Sequence, residues 1–126
     1  GWAERPPEDG VAVHTNHFLC SSLAFRQAEL GDSLATESRL KCAAGHAAKR
    51  PVSVAGIESL LRDESDGFTS ICRSPDPSLP AEARLESVAG IRIDCTERRW
   101  WIAPDIPSQV RFAEVPTGFH WQDVRR

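Results

Sequence analysis

Residues 85–104, "LESVAGIRIDCTERRWWIAP", decide the fold class. Two runs carrying β-branched and aromatic side chains flank the polar stretch Cys95-Thr96-Glu97-Arg98, and that pattern predicts a β-hairpin. Trp100 and Trp101 are neighbours, so a strand must send one ring to each face and commit at least one of them to a core. Downstream, "QVRFAEVP" (109–116) predicts a third short strand, which makes the C-terminal part a β meander.

Two helices are predicted upstream of the sheet. Thr36 is a possible N-cap for the first, which runs through "ESRLKCAAGHAAKR" (37–50). Leu40, Ala44 and Ala47 form its narrow apolar stripe, Lys49-Arg50 suit its last turn, and Pro51 stops it. Ser53 can cap the second, where Val54, Ile57, Leu60 and Leu61 recur at helical spacing. Between helices and sheet, residues 63–84 read as a loop with a short apolar segment at 69–72 and a proline-rich exit. At the other end, residues 1–10 read as loop and residues 21–35 as irregular. Between them "VAVHTNHFLC" (11–20) alternates with apolar residues on both faces, which predicts a strand buried on both sides. The order strand, two helices, β meander defines a mixed α+β layer.

Size and composition bound the rest. A chain of 126 residues suits a single domain, and 40% hydrophobic residues suffice for a modest core. The net charge of −3, with both signs interspersed, lacks the basic footprint of a nucleic-acid binder; the clear basic pairs are Arg98-Arg99 and Arg125-Arg126. No apolar run has the length of a membrane span, and "GWAERPPEDG" has neither part of a signal peptide, so a cytoplasmic protein without membrane contact is expected. Cys20, Cys42, Cys72 and Cys95 include no CxxC pair and are expected as free thiols. No methionine occurs anywhere, and the expectation is a fragment of a larger domain.

Residues 14–20, "HTNHFLC", carry the densest polar chemistry. On a strand, His14 and His17 point to opposite faces, and His14 and Cys20 share a face but lie about 20 Å apart, so they do not form a metal site. Asn16 remains. Its amide has to be satisfied, either by backbone at a strand end or by a functional task such as donation to a developing oxyanion. Arg39 falls outside the Leu40–Ala44–Ala47 stripe, as a solvated helix-surface residue or a site residue, and Arg73 has the same standing.

Taken together, "VHTNHFL", "ESRLKC", "SICRSPDPSLP" and "VAGIRIDCTERRWWIAPD" resemble the C-terminal half of the isopenicillin-N acyltransferase family of N-terminal-nucleophile cysteine hydrolases. The resemblance spans about residues 11–116, with a more distant likeness to bile-salt hydrolases and acid ceramidases. It implies an αββα sandwich, of which residues 1–126 would form an incomplete C-terminal part. It also implies a nucleophilic cysteine at a chain start, whose α-amino group, with an ordinary pKa near 8, serves as its base. Asn16 matches the family's oxyanion donor, and Arg39 matches an arginine placed near the nucleophile. The substrate would be a small-molecule amide or acyl thioester, and this chemistry requires no metal or organic cofactor. Residue 1 is glycine, so the nucleophile is expected on a preceding segment, and the chain alone is expected to be inactive. The alternative is a non-catalytic α+β binding domain whose contact surface is the Trp100-Trp101 sheet.

Overall fold

The hairpin is present. The computed structural model describes residues 6–15 and 36–116, and in it β1 (Gly90–Asp94) pairs antiparallel with β2 (Arg99–Ala103). A two-residue β3 (Ala113–Glu114) pairs antiparallel with β2 on its far side, so the third strand is shorter than its sequence suggests. Asp94 makes the turn. Its Oδ1 accepts from the backbone N–H groups of Thr96 and Glu97, both at 2.9 Å, and Arg98 closes the turn at φ 56°. The β3 register is held by Val115 N–H donating to the Trp100 carbonyl and by the Arg99 guanidinium forked onto the Glu114 carboxylate.

The register gives the two sheet faces different characters. Ile91 lies opposite Ile102, Ile93 opposite Trp100, and Ala113 opposite Ile102, so all five side chains share one face. That face is open: Ile91 and Ile93 are 50% and 65% exposed. The other face carries Gly90, Arg92, Trp101 and Ala103. There the Arg92 guanidinium lies 3.5 Å from the Trp101 ring centroid, and its Nε lies 3.2 Å from Glu58 Oε1. The adjacent tryptophans are thus divided between the faces.

Glu58 belongs to α2 (Val54–Leu61), which with α1 (Thr36–Ala47) makes up the helical layer. Ser53 caps α2 as its sequence suggests, its Oγ accepting from Gly56 N–H at 3.0 Å. The α2 stripe is only partly covered, because Val54 is 52% exposed and Ile57 36%. Three expectations for α1 need correction, the first being its end, which falls at Ala47 and leaves Lys49-Arg50 outside the helix. Thr36 is the first helical residue and not a cap, and the buried position is Ala43, flanked by the half-buried Cys42 and His46. The packed stripe is therefore rotated from Leu40–Ala44–Ala47, and the latter borders a cleft.

The residue 11–20 strand also requires correction within its described part. Val11, Val13 and Thr15 are half-buried while Ala12 and His14 are exposed, so burial is one-sided. The pairing there is a single bridge between Glu8 and Val11, across Asp9 and Gly10 at φ 48° and 77°. That double positive φ is the geometry of a tight hairpin turn, and an Asp-Gly pair suits it. Among the described residues the core is small: Ala43, Cys72, Ala103, Ile106 and Pro107, with Ser70 also buried. Ser70 accepts Asp66 N–H at 2.8 Å, and Cys72 N–H donates to the Asp63 carbonyl at 2.9 Å. Cys42, Cys72 and Cys95 are free thiols. Among the described residues, no helix is long and apolar enough to cross a membrane.

Candidate functional site

The segment leading to Asn16 lies along α1. Thr15 Oγ1 donates to the Thr36 carbonyl at 2.9 Å, which ties the residue before Asn16 to the first turn of α1. Arg50 Nη2, past the far end of the helix, donates to the Glu8 carbonyl at 3.4 Å. Between these two ties a cleft of about 520 Å³ opens, lined by Val11, Val13 and His14 on one side and by Leu40, Ala44 and Ala47 on the other. Its walls are the alternating segment and the apolar stripe expected of α1. Asn16, His17 and Cys20 lie outside the described residues.

Arg39 is three residues into α1 and is half-buried. Its Nε is buried with no hydrogen-bond partner among the described residues. Burial, and then the positive charge of Arg73, hold its pKa below the ordinary guanidinium value. Arg73 places its guanidinium 5.1 Å from the centroid of the Phe68 ring. The two arginines singled out by sequence are therefore electrostatic neighbours. Their combined positive field favours an anion or a developing negative charge.

A second constellation was not anticipated from sequence. Cys42 and His46 sit four residues apart on α1, one turn above one another, and Asp63 follows the C-cap of α2. One ligand atom from each lies within 4.8 Å of the other two. His46 Nε2 is 3.0 Å from Asp63 Oδ2. Ser65 anchors the other carboxylate oxygen, its backbone N–H at 3.0 Å and its hydroxyl at 2.6 Å both donating to Oδ1. Those Ser65 hydrogen bonds, outweighing burial and assisted by His46, hold the Asp63 pKa down at about 2. The Cys42 thiol shifts the other way, raised by burial and then by the charge of Asp63 and a hydrogen bond to it. The available sequence signal was the C-x-x-x-H spacing inside a predicted helix; the contribution of Asp63 depends on how α2 returns against α1.

Comparison with known proteins returns no matching family model, no matching curated protein and no matching solved structure.

Proposed function

We propose that this chain is the C-terminal part of a cysteine N-terminal-nucleophile amidohydrolase or acyltransferase, acting on a small-molecule amide or an acyl thioester. The observation that carries the reading is the Thr15–Thr36 hydrogen bond, because it sets the flank of Asn16 against the helix that bears Arg39. Arg39, which the resemblance assigns to chemistry, thus lies on the helix to which the residue preceding Asn16 is tied. The sheet face of Ile91, Ile93, Trp100 and Ile102, exposed at the two β1 isoleucines, adds support, since an αββα sandwich covers such a face with a second sheet. That second sheet, and the nucleophilic cysteine, would come from a preceding segment.

In this reading the cysteine thiolate attacks the substrate carbonyl after its own α-amino group has taken the thiol proton. The carbonyl oxygen acquires negative charge, and the Asn16 amide N–H stabilises it. Collapse of the intermediate expels the amine or thiol, which takes the proton back, and leaves an acyl-enzyme. Water or an acceptor amine then accepts the acyl group. The positive field of Arg39 and Arg73 orients a carboxylate or steadies the oxyanion nearby.

The test uses a chain extended upstream to include the nucleophilic cysteine. Asn16→Ala is expected to lower kcat by about 10²–10³-fold with an unchanged circular-dichroism spectrum. Wild-type turnover in that variant would refute the assignment. The 126-residue chain alone is expected to show no hydrolysis, and clear turnover by it would refute the need for a separate nucleophile. Failure of the extended chain to become acylated by a cysteine-reactive acyl probe would favour the non-catalytic binding domain.

A further inference from the structure

We propose that Cys42, His46 and Asp63 form a binding site for one transition-metal ion of the zinc class, with the fourth coordination position open to solvent. The proposed chemistry needs no metal, and the site lies on the face of α1 that meets the end of α2, one turn along from Arg39. Its donor set is one thiol sulfur, one imidazole nitrogen and one carboxylate oxygen, a mixture that selects zinc or cobalt over magnesium or calcium. The spacing also fits. Bonds of about 2.0–2.3 Å to a tetrahedral ion put ligand atoms about 3.3–3.8 Å apart. The three atoms here lie within 4.8 Å of one another, so an ion enters after small side-chain adjustments.

The surroundings are organised for the ion. Cys42 and His46 are fixed relative to each other by one turn of α1. Asp63 is oriented by Ser65 at Oδ1, which leaves Oδ2 turned toward His46 Nε2 at 3.0 Å. This is the support from outside the ligand set that metal sites use to aim a carboxylate. The His46 and Asp63 side chains are 18% and 16% exposed, enough for an ion to reach from solvent. A nucleophilic Cys–His pair is a poorer description, because His46 Nε2 is engaged by the Asp63 carboxylate at 3.0 Å. On binding, the ion displaces the thiol proton to solvent and takes the place of the His46 Nε2–Asp63 Oδ2 hydrogen bond, the imidazole ligating as the neutral tautomer with its proton on Nδ1, and no electron is exchanged. The site would fasten α1 to the exit of α2, in a molecule whose buried core among the described residues is small.

The experiment is a titration of the tag-free, reduced 126-residue chain with Co²⁺ and then Zn²⁺. Expected are one ion per chain, tetrahedral cobalt absorption with a thiolate-to-cobalt charge-transfer band, and a melting temperature that rises with Zn²⁺ concentration. Cys42→Ala should abolish the charge-transfer band and weaken Zn²⁺ binding more than about 100-fold, beyond the loss that supporting residues alone typically cause. His46→Gln should weaken binding comparably while some thiolate band survives at high Co²⁺. Both variants should keep the wild-type helical spectrum, and Cys95→Ser should change nothing, since Cys95 is exposed and distant in sequence. A charge-transfer band that persists in Cys42→Ala would overturn the proposal. An equal Zn²⁺ shift in wild type and in both ligand variants, or no cobalt spectrum at millimolar ion, would overturn it as well.

Discussion

Gly90 shows how little room the covered sheet face has. A Cβ built there would lie 3.0 Å from both Phe112 Cζ and Pro107 Cγ, and Pro107 is itself buried. Pro107 cannot withdraw freely, because its carbonyl accepts Arg62 Nη1 at 2.6 Å while the same guanidinium lies over Phe112. Gly90→Ala is therefore expected to destabilise by about 1–3 kcal/mol, the usual range for overpacking, read as a lower urea midpoint at unchanged slope. A second prediction concerns acid. Asp76 Oδ1 accepts the Ser78 N–H at 2.9 Å and hydroxyl at 2.7 Å, and these hydrogen bonds hold its carboxyl below the usual carboxylate value. A depressed folded pKa means that the contribution is complete above the ordinary carboxylate value and disappears as pH falls through the folded one. Protection of the Ser78 amide is thus expected to survive mild acid and to be lost only below the normal carboxylate range. An NMR titration placing Asp76 at or above the ordinary value would contradict it.

The helices differ in what holds them. α2 has eight residues, too few for stability by propensity alone, and its cap is a single exposed hydrogen bond from Gly56 to Ser53. Ser53→Ala is expected to cost about 1 kcal/mol and to fray the first turn, visible as faster amide exchange at Gly56 and Ile57. A loss below the error of a thermal melt would mean that packing against α1 and β1, and not the cap, fixes this end. The cap of α2 and the hairpin were legible because each is set by neighbours in sequence, whereas α1 ends at Ala47, before Lys49-Arg50 and the expected stop at Pro51. The α1 stripe was misjudged because Ala44 and Ala47 are apolar whichever way they point. Burial on α1 depends on what packs against it, α2 and the turn at Gly67–Thr69, and no local pattern encodes that. The Cys42–His46–Asp63 cluster was missed for the same reason: its first pair is a helix spacing, but its third member arrives through a tertiary turn. The half-burial of Arg39 was not legible, since an arginine beside an apolar stripe ordinarily faces water.

At the scale of the molecule, two layers carry apolar surface that nothing in the described residues covers. Helix α2 meets one side of a three-stranded sheet, where Glu58 pairs with Arg92, and the reverse side carries Ile91, Ile93, Trp100 and Ile102. A sheet with one helical layer becomes stable by covering its second face, and apolar side chains left there drive association. Burying Ile91 and Ile93 fully would contribute roughly 1.5–3 kcal/mol each before discounting what they already bury. The surface is thus a strong determinant of solution behaviour, whether a second sheet or another copy occupies it. The chain by itself is expected to self-associate, with a sedimentation coefficient that rises with concentration. Ile91→Lys combined with Ile93→Thr puts a charge and a hydroxyl on this face and keeps the β-branched side chain at 93, so the hairpin should survive. The double variant is expected to sediment as a monomer across the same concentrations with unchanged circular dichroism. If wild type is already a monodisperse, cooperatively melting monomer at high concentration, the face does not need a cover, and the sandwich reading loses its whole-molecule support. If the variant unfolds instead, the isoleucines contribute to stability within the monomer, and the weaker Ile93→Thr single change distinguishes that outcome by restoring the fold while still reducing association.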